Sequence, residues 1–104
     1  MPLYFVLDGH EPVPVDDVMT WARWFEANTA ARIVGKTRVG DQEVSTVFLG
    51  LDHQYGSGPP LLFETMVFPE CDDCQRYSTW DQAVAGHDAT VGRLRRELLT
   101  KDQG

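Results

Sequence analysis

The sequence predicts an α+β fold: an antiparallel sheet of four to five strands, with two helices packed mainly on one face, in the order ββαβββα. Three observations predict it. Apolar residues alternate with a period of two at residues 3–7 and again from 32 to 68. They recur at helical spacing in two other stretches, one after residue 16 and one after residue 79. Finally, the link from Asp52 to Pro60 is too short for the helical crossover that a parallel pair needs, which makes the central strands an antiparallel meander.

Taken in order, Leu3-Tyr4-Phe5-Val6-Leu7 is rich in strand formers, and Asp8-Gly9-His10 supplies turn chemistry. Pro12-Val13-Pro14-Val15 follows; two prolines in one run confine any strand there to an edge. From Asp16 to Asn28, residues Val18, Trp21, Ala22 and Phe25 fall on one helical face, widened by Trp24. Asp16 is the expected N-cap, with Asp17 in the first turn. Arg32–Val39 and Glu43–Leu51 read as a hairpin joined through Gly40-Asp41-Gln42, and Leu61–Phe68 as a further strand. Glu70 to Ser78 is polar and reads as a connection. Thr79 and Gln82 then form a capping-box pattern, opening a helix whose stripe is Trp80, Val84, His87, Val91, Leu94 and Leu98.

At 104 residues the chain is the size of one domain, with a core sufficient to fold without metal or disulfide staples. The net charge of −7 is uneven: residues 1–30 carry −4 and 52–81 carry −5, whereas 31–51 and 82–104 each carry +1. This balance opposes contact with a phosphate backbone and leaves open a basic protein partner. No apolar run approaches a membrane span, and the apolar N-terminal stretch stops at Asp8 without a basic leader, so a cytoplasmic location is expected.

Asp52, His53 and Glu64 are the candidate catalytic residues. A meander would bring Glu64 near the base of the 52–60 loop, and two carboxylates with an imidazole can move a proton or hold a metal. The same loop, through Asp52, His53, Gln54, Tyr55, Pro59 and Pro60, is the candidate binding surface, because its glycines and prolines shape a long connection between strands. Glu64 has apolar same-face neighbours, so it is either an acid with a raised pKa or a residue on the outer side of the sheet. Cys71 and Cys74 form a lone Cys-x-x-Cys, a weak metal candidate that would need His10, His53 or His87 as remote ligands; two free surface thiols are the expected state. His87 is expected to be a core histidine held by a buried hydrogen bond. Its neighbour Gly86 suggests close approach of another backbone, such as the first helix. Trp21, Trp24 and Trp80 are expected in the core or at its rim. No Ser/His/Asp order, phosphate-cradling loop or dinucleotide fingerprint is present, and no cofactor is expected.

Val44-Ser45-Thr46-Val47-Phe48-Leu49-Gly50-Leu51-Asp52-His53, together with Gly58-Pro59-Pro60-Leu61-Leu62-Phe63-Glu64-Thr65-Met66-Val67-Phe68, resembles a family of small uncharacterised bacteriophage and prophage proteins. Pro12–Val15, Trp21–Glu26, Tyr77–Trp80 and Gly86-His87 fit the same family, so the resemblance covers nearly the whole chain. It implies a phage or prophage origin and carries no established activity. The functional expectation is an accessory protein of the host cytoplasm, binding a host or phage protein, either as an acidic decoy or as a modulator of a host or defence component. The alternative is a small acid/base or metal-assisted hydrolytic enzyme using Asp52, His53 and Glu64. Oligomeric state is left open.

Overall fold

The structure, a computed structural model, describes residues 3–52, 58–69 and 74–103. Strands β1 (Tyr4–Asp8) and β2 (Glu11–Val15) precede helix α1 (Val18–Ala27). Strands β3 (Ile33–Val39), β4 (Gln42–Phe48), β5 (Phe63–Phe68) and β6 (Gln75–Tyr77) follow, and the long helix α2 (Trp80–Gln103) comes last. The α+β fold and its antiparallel order are those the sequence predicts, with the short strand β6 added before α2. The strands form two sheets, β1-β2 and β3-β4-β5-β6. A polar strand of three residues has too little periodicity to be seen in sequence; it exists because Phe63, Glu64 and Thr65 of β5 offer it a paired edge.

The first hairpin is joined to the segment that follows β4 by backbone hydrogen bonds. Phe5 N–H donates to the Gly50 carbonyl at 2.8 Å, and Asp52 N–H donates to that of Leu3 at 3.1 Å. Gly50 makes this possible twice over. Its φ is +74°, and a Cβ there would lie 2.6 Å from the indole nitrogen of Trp21. Within the hairpin, Gly9-His10 is a two-residue turn with Asp8 opposite Glu11, Leu7 opposite Pro12 and Phe5 opposite Pro14. Pairs alternate between bonded and non-bonded starting from the turn, so both prolines fall where the N–H would point away from β1. The ladder loses nothing to them, and the outer edge of β2 loses its donors.

Helix α1 starts one residue later than expected. Asp17, not Asp16, is the N-cap: extended at φ −111° and ψ 122°, it accepts hydrogen bonds from Met19 N, Thr20 N and Thr20 Oγ1 at 3.3, 3.1 and 2.8 Å. Those bonds hold its carboxyl below the usual range, the Thr20 hydroxyl contributing most. None of the residues of α1 is fully buried, and Val18, expected on the core face, is exposed. The helix docks through aromatic edges: Trp21 lies against Tyr4, and Trp24 meets Phe48 edge-on at 5.9 Å between centroids. Arg32 closes its far end, with its guanidinium 3.5 Å above the Phe25 ring and its Nε donating to the Phe25 carbonyl.

Helix α2 lies on the face of the larger sheet from which Val44, Thr46 and Phe48 of β4, and Phe63, Thr65 and Val67 of β5, project inward. Two apolar clusters result. Phe48, Phe63, Leu62, Phe5, Leu7 and Ala83 form one, and Val39, Val44, Val67, Val91 and Leu94 the other. Between them runs a polar belt. His87 bonds through Nε2 to Thr37 Oγ1 at 2.9 Å and through Nδ1 to Thr46 Oγ1 at 2.8 Å, and Thr46 meets Thr65 at 2.6 Å. His87 is thus the core histidine expected, with two partners where one was expected. The buried stripe of α2 is rotated slightly from the predicted one: Ala83 and Thr90 are buried, whereas Val84 and Leu98 are exposed.

Gly86 has a different explanation from the one expected. A Cβ there would run into the phenol of Tyr77 on β6, not into α1. At an exposed helix position Gly→Ala stabilises by roughly 1 kcal/mol. Here Gly86→Ala should instead destabilise by roughly 1–3 kcal/mol through overpacking. Urea titrations of Gly86→Ala with and without Tyr77→Ala check this. The penalty should disappear once the phenol is gone; if it persists, the contact is not its cause.

Candidate functional site

Of the three expected site residues, Asp52 and Glu64 are among the described residues, and each has a hydrogen-bond partner of its own. Glu64 sits on β5 opposite Val47 on one side and Arg76 on the other, on the face away from α2. Its Oε2 accepts from Arg76 Nε at 2.9 Å, so its carboxylate is committed to an ion pair at the sheet surface. Asp52 is half-buried, and its Oδ1 accepts from Leu61 N–H at 3.2 Å, closing the base of the 52–60 connection. His53, Gln54 and Tyr55 lie outside the described residues. Pro59 is exposed, and Pro60 belongs to a different feature described below.

Cys74 is disulfide-bonded, which corrects the expectation of free thiols and takes its sulfur out of any metal-ligand set; Cys71 lies outside the described residues. Charge spacing in the sequence argued only about thiol reactivity, and it could not foresee this pairing. Among the described residues no three His, Cys, Asp or Glu side chains are gathered as a metal ion would need. No helix among them is long and apolar enough to cross a membrane.

A groove of about 610 Å³ lies between the first hairpin and the start of α2. Phe5, Leu62 and Trp80 give it apolar surface, and Pro12 and Pro60 flank it. Three carboxylates line it as well: Asp8 and Glu11 from the hairpin, and Asp81 from the first turn of α2. His10, from the hairpin turn, lies flat on Trp80, with ring centroids 3.7 Å apart and planes within 4°. Trp80 is itself braced edge-on by Phe63 at 6.1 Å.

Electrostatics decide what such a groove favours. The start of a helix carries about half a positive charge, which alone would attract an anion. The capping box that the sequence predicts takes up part of this: Thr79 Oγ1 accepts from Gln82 N at 3.1 Å, and Gln82 Oε1 accepts from Ser78 N and Thr79 N just before the helix. Against this half charge stand three carboxylates, none of which makes an ion pair among the described residues. Asp8 and Glu11 are also directly opposite each other across the hairpin, an arrangement of like charges that costs stability. A cation is the ligand that relieves it.

The sequence held part of this site. Pro60 was expected in a binding surface, and Trp80 at the core rim. The rest joins residues some seventy positions apart, and no local pattern couples a turn histidine to a helix-start tryptophan. Comparisons with protein families, curated proteins and solved structures find no match to this chain.

Proposed function

We propose that the protein is a phage- or prophage-encoded accessory protein that acts by protein–protein contact, and that the groove between the first hairpin and α2 is its contact surface. The observation that carries this reading is the groove's composition, in which carboxylates without an ion pair among the described residues surround an aromatic and aliphatic floor. Such a surface suits a basic segment with apolar side chains, which supports the acidic-modulator reading. The resemblance to small phage proteins supports the origin. The ion pair of Glu64 with Arg76 leaves the hydrolytic alternative without a specific observation in its favour.

A photo-crosslinking residue at position 60 should trap a protein partner in expressing cells, and one at position 42, beside the turn near the other end of the α2 contact, should not. The triple change Asp8→Asn, Glu11→Gln, Asp81→Asn should abolish that crosslink. The two hairpin changes should also leave the fold slightly more stable, by about 0.2–1 kcal/mol, because they remove a like-charge pair. Equal trapping at both positions, or trapping indifferent to the triple change, would sink the proposal.

A further inference from the structure

We infer that the group recognised in this groove is the guanidinium of an arginine side chain, presented by an apolar segment and laid against the His10–Trp80 stack. This rests on the reading of the groove as the contact surface and specifies its ligand. The groove's charge calls for a cation, and among the described residues no group of three donors is gathered as a metal ion would need. An organic cation with several dispersed donors fits carboxylates spread along two walls. The stacked rings discriminate further. Two nearly parallel rings with centroids 3.7 Å apart, His10 being exposed, extend as a flat π surface. A planar, weakly hydrated guanidinium continues that stack while its edge donors reach Asp8, Glu11 or Asp81; a compact ammonium keeps its water and has no face to stack. The apolar floor of Phe5 and Leu62 then receives the residues beside the arginine.

The test uses the full chain, labelled with nitrogen-15, and three seven-residue glycine–leucine peptides whose central residue is arginine, lysine or citrulline. The arginine peptide should shift the Trp80 indole resonance and the amides of His10 and Asp81. It should bind about tenfold tighter than the lysine peptide, the difference expected of one added charge-assisted hydrogen bond with stacking. Citrulline, planar but neutral, should bind more weakly than either. The Asp8→Asn, Glu11→Gln, Asp81→Asn variant should lose the arginine shifts. Equal affinity for arginine and lysine, or binding of citrulline as tight as arginine, overturns the inference and leaves the groove as the contact surface. Shifts confined to residues outside the groove, or none with any peptide, overturn both.

Discussion

Trp80→Ala should cost about 3 kcal/mol of stability and abolish partner binding together. Large-to-small changes of buried tryptophan cost ~3–5 kcal/mol, and the partial exposure of Trp80 places it at the low end. The substitution removes the edge contact to Phe63 and the surface on which His10 lies. His10→Ala serves as the comparison: His10 is exposed, so its loss should change stability by less than about 0.5 kcal/mol. Urea denaturation of both variants, alongside crosslinking through position 60, checks the pair. A Trp80→Ala midpoint shifted by the equivalent of less than ~1 kcal/mol would show that the first hairpin and α2 hold their places without it.

The second large effect belongs to the polar belt. Thr46 is fully buried and serves both His87 Nδ1 and the Thr65 hydroxyl. Thr46→Val keeps the shape but removes the partner of His87 Nδ1 and of the Thr65 hydroxyl, so a loss of roughly 2–4 kcal/mol is expected from these two buried polar atoms. Thr46→Ser, which keeps the hydroxyl, should recover much of it. The same belt makes stability depend on pH. Burial pushes the His87 pKa down, and Asp88 opposes this only in part. The threonine hydroxyls could turn to accept from both ring nitrogens, so desolvation and not lost bonding resists the proton. Above the ordinary value near 6.5 both folded and unfolded chains hold His87 neutral, and its full contribution is present. As pH falls below about 6.5, the unfolded chain takes up a proton that the folded one refuses, and stability declines until the depressed folded value is reached. Urea midpoints between pH 8 and pH 5 should fall in the native chain and fall less in His87→Gln. Parallel curves would place the dependence elsewhere.

How much of this was legible beforehand follows from the range of each interaction. The capping box of Thr79 and Gln82, the meander, the edge position of the proline strand and the burial of His87 all depend on spacing within a few residues, and the sequence shows them. The N-cap was missed by one position because Asp16 and Asp17 are chemically equal, and only the chain's entry angle separates them. The Glu64 partner was missed because β6 carries no periodic signal, and so Arg76 could not be placed beside β5. The groove was missed for a similar reason. Its carboxylates look like ordinary surface charge until a hairpin and a distant helix start are set side by side. The Cys74 bond was outside the reach of spacing arguments that assumed a reducing environment.

The placement of Pro12 and Pro14 has a bearing on selectivity. Many extended segments bind proteins by adding a strand, and the main-chain bonds they gain are almost indifferent to which residues they carry. Beside this groove that route is closed, since the prolines remove donors from the outer edge of β2. A segment arriving there is held by its side chains and hardly by its backbone. Discrimination between one incoming sequence and another therefore falls on what those side chains are, and a chain of the wrong composition finds little there to retain it.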